Sequence, residues 1–270
     1  MLTNEFDVLP RLDSVIRLEK PDMTQIAIHG QGPANRPIRV DENAGGWGGL
    51  SPEAGMTGYT YDEQGRLLAS YDPTVYGYSF FTLGHYESNR LERVYHGTTD
   101  YPNKPAGYAS WMTQYGYNAQ QQVRYTLTYR YLGEGSSYGL TYYSEFSYTP
   151  TGTIRSRRLT FIADGSYRQT VYTQGKPLYM ETFTRTGELK ERTDYTFDNQ
   201  PNPLADLYFF SLDPDYTGQA TNLIENQGPY GIFRREYRLE YDDQQRVRVM
   251  YRREKPTDSW IAEYRFMYGQ

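Results

Sequence analysis

The sequence predicts an all-β protein: an antiparallel meander of β-hairpins, strongly twisted or curled into an open or barrel-like sheet of about fourteen strands, with little helix. Three observations carry this. Apolar and polar residues alternate with period two over most of the chain from Gly58 onward. A unit of aromatic-x-aromatic, a polar turn often containing Gly, and an aliphatic residue recurs with drift towards the C-terminus. No stretch of about ten residues combines helical period with helix caps.

Taken in order, residues 1–30 hold two short expected strands, 14–18 and 24–29, split by Pro21. Residues 31–57, with Gln31-Gly32-Pro33 and Gly45-Gly46-Trp47-Gly48-Gly49, read as a long irregular loop. Together, residues 1–57 form an N-terminal unit expected to pack on a main domain of residues 58–270. The clearest hairpin runs from Tyr59 to Tyr71. Tyr59 and Tyr61 alternate with Thr60, Asp62 can bond its own backbone two residues on, Gly65 can take the positive φ that ends the loop, and Leu67 opens the return strand.

Variants follow. Phe81-Thr82-Leu83 leads to residues 90–95, Tyr115-Gly116-Tyr117-Asn118 to 123–125, and residues 146–152 to Ile154-Arg155. Residues 161–165 then lead to Tyr167, 183–187 to Leu189-Lys190, and 237–242 to Arg246-Val247. The alternation places Val123, Tyr125, Leu127, Tyr129 and Tyr131 on one face, and Trp260, Ala262, Tyr264, Phe266 and Tyr268 on one face of the last strand. Residues 199–233 interrupt the series with Asn202-Pro203, Asp213-Pro214 and Gly228-Pro229; this insertion is expected to carry a helical turn within residues 204–210 and to cover one end of the sheet.

Composition narrows function by exclusion. Aromatics make up 16% of the 270 residues, with 30 Tyr against 11 Phe and 3 Trp, so tyrosine rings are expected to cover the sheet where aliphatic residues usually do. There is no cysteine, which removes disulfides, thiolate nucleophiles and Cys-ligated zinc. A net charge of −5 argues against nucleic acid as a partner. No apolar run reaches the roughly 20 residues of a membrane-spanning helix. An outer-membrane barrel would confine aromatics to girdles, whereas here they run the length of the strands. The opening Met1-Leu2-Thr3-Asn4-Glu5-Phe6-Asp7 is no signal peptide, so an exported form implies a leader already removed.

The unit Tyr59-x-Tyr61-Asp62-x-x-Gly65-Arg66-Leu67 resembles the YD repeat of Rhs-type and teneurin-type proteins, whose hairpins wind into a spiral β-strip. A closer resemblance, over residues 59–268, is to Bacteroidetes surface lipoproteins of a domain family without assigned function. It rests on few, diverged Tyr-x-Tyr-Asp hairpins and on Asp198-Asn199-Gln200-Pro201-Asn202-Pro203 with a downstream Asn222 or Asn226. It also rests on the aromatic final strand Tyr264-Arg265-Phe266-Met267-Tyr268. The chain departs from the repeat at Gly84 and Thr149, which stand where Asp is expected, and is too short for a closed Rhs-type shell. The resemblance implies the fold, export to the outer-membrane surface or periplasm, and a lipid anchor on the removed leader. It implies nothing about activity.

Candidate chemistry is sparse. Asp213-Pro214-Asp215-Tyr216-Thr217-Gly218 matches the start of a calcium loop with Asp213, Asp215 and Thr217 as ligands. The position that needs a bidentate Glu is Ile224, however, so the stretch reads as an Asx-turn and no metal or other cofactor is expected. His29, His85 and His96 are far apart in sequence, although His85 and His96 could face each other across one hairpin. There is no Gly-x-Ser-x-Gly elbow. The clusters Arg155-Arg157-Arg158 and Arg246-Arg248-Arg252-Arg253, with Glu191, Glu236, Glu240 and Glu263 on comparable strands, read as cross-strand ion-pair ladders, with an anionic-ligand patch as the alternative. Trp47, Trp111 and Trp260 are the candidate stacking platforms for sugar rings or peptide side chains; most Tyr read as core. The expected function is a non-enzymatic, exported cell-surface binding or scaffold module whose partner is a glycan or surface protein. The alternative is a polysaccharide hydrolase with two carboxylates about 5–10 Å apart in a cleft.

Overall fold

The computed structural model describes residues 15–17, 37–42, 56–72, 78–100, 108–132, 137–207, 221–229 and 231–268. They are almost entirely antiparallel strand. The first half contains β1 (Val15–Arg17), β2 (Pro37–Glu42), β3 (Met56–Tyr61), β4 (Leu67–Asp72), β5 (Tyr78–Glu87), β6 (Arg90–Asp100), β7 (Tyr108–Tyr117), β8 (Val123–Tyr131) and β9 (Ser137–Tyr148). The second contains β10 (Ile154–Phe161), β11 (Tyr167–Thr173), β12 (Lys176–Phe183), β13 (Leu189–Pro201), β14 (Thr221–Gly228), β15 (Gly231–Arg234), β16 (Glu236–Tyr241), β17 (Val247–Arg253) and β18 (Ile261–Tyr268). The one helical element among the described residues is a 3₁₀ turn, Ala205–Leu207, inside the expected helical stretch.

From β2 to β15 and again from β16 to β18 each strand pairs with the next, and β18 returns to pair with β2 through Arg265↔Asp41 and Phe266↔Val40. The roll carries one interruption in its ladder, at Arg235, where β15 pairs β14 on one edge and β16 pairs β17 on the other. β1 adds to β9 through Ile16↔Tyr138. β2 thus joins the two ends of the meander, leaving the break at Arg235 as the place where the sheet stays open, and it lies in the stretch expected to be loop. Pro33, Pro37 and the nearby glycines obscured it, yet Pro-Ile-Arg-Val-Asp-Glu alternates and supplies the missing rung. Among the described residues the strands number eighteen against the expected fourteen or so, and β2, β14 and β15 fall in segments that read as irregular. Residues 24–29 lie outside the described residues.

The hairpin turns share one chemistry. Asp62 Oδ1 accepts from the backbone N–H of Gln64 (3.0 Å) and Arg66 (2.8 Å). Asn118 Oδ1 accepts from Gln120 (3.0 Å) and Gln122 (2.9 Å), and Asp242 Oδ1 from Gln244 and Arg246 (2.9 Å each). Thr149 and Thr184 do part of the same work with a hydroxyl, accepting from Thr153 and Glu188. The fourth turn residue has positive φ in every case: Gly65, Gln121, Gly152, Gly187 and Gln245. The second hairpin differs from its expected form. Gly84 lies within β5, and the turn is Ser88-Asn89, both at positive φ as a two-residue type I′ turn requires.

After each of these turns the return strand bulges by one residue. Tyr61 pairs Leu67, Tyr86 pairs Leu91, Tyr117 pairs Val123, Tyr148 pairs Ile154, Phe183 pairs Leu189 and Tyr241 pairs Val247. Cross-strand partners share a face, so the bulge puts the aromatic before the turn and the aliphatic after it on the same side. Val123 therefore departs from the expected stripe: it packs with Leu91, Val94 and Tyr115, whereas Leu127 and Tyr129 pack with Phe81, Leu83, Tyr95 and Met112 on the other side.

One rim is stitched by tyrosines. Tyr86 donates its hydroxyl to the Leu67 carbonyl (3.0 Å), Tyr117 to Leu91 (2.7 Å), Tyr148 to Val123 (2.7 Å) and Tyr268 to Val247 (2.9 Å). Each ties a tyrosine to the aliphatic residue at the start of the return strand of the hairpin before it. Arginines reinforce three of these ties: Arg66 lies 4.3 Å over the Tyr86 ring, Arg90 5.1 Å over Tyr117 and Arg246 4.4 Å over Tyr268. Arg66 and Arg246 also clamp Asp62 and Asp242 of their own turns. The Asp, the Arg and the aliphatic residue of the unit thus each have a structural task.

The insertion covers part of one face. Leu204 and Leu207, three and six residues beyond the end of β13, are buried in a cluster with Tyr59, Tyr61, Leu67, Met250 and Phe266. β3 and β4 lie several strands round the roll from β13, and the short route to them is across the concavity. The face carrying this cluster is termed the inner face; the opposite, outer face carries a second buried cluster of Phe81, Leu83, Tyr95, Met112, Leu127 and Tyr129. Following register round the wall, Val94, Tyr115, Tyr142, Phe146 and Phe161 share the inner face. Within the insertion, Asn222 donates its side-chain amide to Asp198 (3.0 Å) and its backbone N–H to the same carboxylate (3.1 Å). Asn202 Oδ1 caps the 3₁₀ turn by accepting from Leu204 N–H (3.0 Å). Of the two downstream asparagines, Asn222 is the one brought to the Asp198 motif.

Candidate binding face

The expected site residues are dispersed. Trp47, Asp213, Asp215, Thr217 and His29 lie outside the described residues. Trp111 is half-buried on the inner face, stacked on Tyr142 at 5.9 Å and 12°, with the Arg130 guanidinium 5.6 Å from its ring. Trp260, beside β18, has Arg253 at 4.5 Å and Arg238 at 5.2 Å from its ring. Both rings are engaged by guanidinium groups of the protein, so what they present outward is arginine. His85 and His96 do not face each other: their cross-strand partners are Arg93 and Thr82, which puts them on opposite faces, with His85 beside Glu87 and His96 beside Thr82. No group of three or more His, Asp or Glu among the described residues could hold a metal ion.

The two arginine clusters behave differently. In the C-terminal cluster Arg253 pairs with Glu236, Arg252 with Glu263 (3.4 Å), Arg248 with Glu240 (3.8 Å) and Arg246 with Asp242 (2.8 Å), the expected ladder. Arg155, Arg157 and Arg158 pair with no described carboxylate. Arg157 instead donates to Ser144 Oγ (3.3 Å) and lies 5.8 Å from the Phe146 ring, and Arg158 covers Tyr167 at 4.0 Å on the outer face.

Register extends the inner-face cluster across neighbouring strands. Trp111 on β7 stacks on Tyr142 on β9, and Tyr142 meets Phe161 on β10 edge-on at 5.4 Å. Arg168 on β11 lies 5.3 Å from the Phe161 ring, with a buried Nε that has no hydrogen-bond partner. Arg130, Arg157 and Arg168 are thus each held against an aromatic ring on one continuous wall. From β7 to β12 the inner positions clear of turns and bulges hold Thr113, Thr126, Thr128, Ser144, Thr170 and Thr182 between these groups and no carboxylate. His96 belongs to the same wall. Its side chain is open to solvent, yet the surrounding protein pulls its pKa down to about 4 through burial, as expected on a concave surface, so it is neutral at pH 7. Burial likewise raises the Tyr115 phenol.

An open cleft of about 640 Å³ lies at the stitched rim between the turns at Asn118 and Thr149. Arg124, Gln122, Phe146 and Tyr148 line it, and Phe146 links it to Arg157 on the wall. Sequence reading missed Arg130, Tyr142, Phe161 and Arg168, because only the pairing of four strands sets them side by side.

Ten of the described carboxylates are committed elsewhere. Asp62, Asp164 and Asp242 hold turns, Asp198 is bound by Asn222, and Glu181, Asp194, Glu225, Glu236, Glu240 and Glu263 pair with arginines. No described helix is long and apolar enough to cross a membrane.

No family model matches the chain, and no curated protein matches it. Among solved structures it is similar to a porin-like protein from Bacteroides vulgatus, at 13% identity and TM-score 0.46, with 87% of this chain and 99% of that one covered. A porin-like protein from Bacteroides uniformis is similar at 13% identity and TM-score 0.41, over 87% and 97%. The Photorhabdus luminescens Tc holotoxin pore is similar at 13% identity and TM-score 0.24 over 80% of this chain and 12% of that one.

Proposed function

We propose that this protein is a non-catalytic binding module, exported to the outer-membrane surface or periplasm, of diverged YD-repeat type and akin to surface lipoproteins, and that it holds a glycan or surface protein on its inner wall. The observation that carries this reading is an inner wall from β7 to β12 furnished with arginine, aromatic and hydroxyl groups, while ten described carboxylates are taken up by turns, hydrogen bonds and ion pairs. Glycoside cleavage needs two free acids across a cleft, and that wall offers none from β7 to β12.

The outer face speaks against a lipid-embedded wall. Glu145, Arg158, Glu181, Arg192, Asp194, Glu225 and Arg234 stand along β9 to β15, where a lipid-facing Arg would cost about 2–4 kcal/mol at the bilayer midplane. The test has two arms. The purified chain should stay monodisperse without detergent and release no reducing ends from a polysaccharide panel, while binding at least one glycan or surface protein in array or pull-down format. Reducing ends that survive repurification would overturn the non-catalytic reading, and a requirement for detergent would overturn the water-facing wall.

A further inference from the structure

The inner wall between β6 and β12 is suited to one class of ligand more than others. Arg130, Arg157 and Arg168 are spread over three strands and each rests against a ring, on Trp111, Phe146 and Phe161. None of them pairs with a described carboxylate, although the chain as a whole is acidic at −5. Aromatic contact fixes the plane of a guanidinium, and a fork held flat in this way meets a planar carboxylate with two parallel hydrogen bonds; Arg157 keeps its Nη1 side for this, since its Nε and Nη2 turn to Ser144. Neighbouring Thr113 and Thr128, half-buried and hydrogen-bonded to each other at 3.2 Å, supply hydroxyls that both donate and accept. Trp111, Tyr142 and Phe161 give the strip an apolar floor.

We propose that this wall binds an acidic oligosaccharide, its uronate carboxylates held by Arg130, Arg157 and Arg168 and its hydroxyls by Thr113 and Thr128, with the rim cleft at Arg124 and Phe146 as the mouth of the strip. Charge complementarity selects an acidic ligand. A peptide adding to the sheet needs a free strand edge, and β6 to β12 are paired on both sides. A polyhydroxylated chain uses side chains alone. The proposal deepens the binding-module reading and rests on it.

The experiment is titration calorimetry of the full chain with an oligogalacturonate, with a neutral galactose oligomer of the same length, with a sulfated glycan fragment and with an acidic peptide. The oligogalacturonate should bind, weakening as salt rises, and the neutral oligomer should bind at least about tenfold more weakly, the factor equivalent to one charge-assisted contact. Arg130→Gln and Arg168→Gln should each weaken binding by about tenfold, Arg168→Lys should restore only part of the loss, and Arg192→Gln on the outer face should leave it unchanged. Thermal melts of every variant separate lost binding from lost folding, and exposed Arg130 is the variant that reads binding should Arg168→Gln unfold. Equal affinity for the neutral oligomer, tighter binding of the sulfated glycan or the acidic peptide, equal loss on Arg192→Gln, or no oligogalacturonate binding at millimolar concentration would each overturn the acidic-sugar assignment. Binding of the neutral glycan or the peptide would leave the non-catalytic module standing.

Discussion

Asp242 and Asn118 perform the same task with different charge. Each accepts two backbone N–H groups across its turn, and Asp242 adds an ion pair with Arg246. The Asp242 carboxyl sits below its ordinary value, chiefly through the Arg246 backbone N–H, and so does Asp164, chiefly through the Ser166 hydroxyl. A depressed carboxylate stabilises the fold above its unfolded pKa, near 4, and loses that contribution as pH falls through the folded value. Melting temperature should therefore hold through neutral pH and decline below about pH 4. Asp242→Asn should keep the turn, lower the neutral-pH melting temperature slightly and show a shallower acid limb; an unchanged limb would disconnect Asp242 from acid stability. At the fourth turn position, Gln121 and Gln245 hold φ of 62° and 60° where Gly65, Gly152 and Gly187 stand in the sister turns. Gln121→Gly should stabilise the protein by about 0.5–1 kcal/mol in denaturant titration, because a side chain at positive φ carries a steric cost that glycine escapes.

The hairpin element was the most legible part of the sequence. Tyr61-Asp62 and Gly65-Arg66-Leu67 named the turn, its polar opener and its positive-φ residue before any pairing was known. The two-residue turn at Ser88-Asn89 was hidden because the unit runs longer there and Gly84 mimicked a corner. The face of Val123 was hidden because a one-residue bulge is not a property of composition. Pairing also explains Gly116, whose cross-strand partner is Tyr125: a Cβ there would come within 2.2 Å of the Tyr125 ring. Gly116→Ala should cost about 1–3 kcal/mol by driving that ring off its seat, read by chemical denaturation. Tyr125→Ala in the same background should recover part of the loss if the clash is the cause.

At the scale of the whole molecule, the joining of the two ends of the meander depends on β2, a short strand among prolines and glycines. Removing residues 1–55 should leave β3 and β18 as unpaired edges. The truncated chain should then form dimers and larger species in size-exclusion chromatography under conditions where the full chain is monomeric. A monomeric truncated chain with unchanged melting temperature would show that the β2 seam contributes little. The binding wall lies at this scale too, which is why sequence reading reached Trp111 and the Arg155–Arg158 cluster but not the surface joining them: Arg130, Tyr142, Phe161 and Arg168 are scattered along the chain and adjacent only round the roll. Tyrosines occupy both faces, Tyr95 and Tyr129 on one and Tyr61 and Tyr115 on the other, so ring covering works on two sides of one sheet, not on a single inner layer.

The tyrosine stitches run in one direction. Each joins a hairpin to the one synthesised before it: Tyr86 reaches back to Leu67, Tyr117 to Leu91 and Tyr148 to Val123. A chain emerging N-terminus first from a ribosome or a secretion channel presents every acceptor carbonyl before its donor arrives. The rim can therefore be fastened link by link during emergence, with the seam between the final strand and β2 left as the late, long-range step that brings the two ends of the meander together.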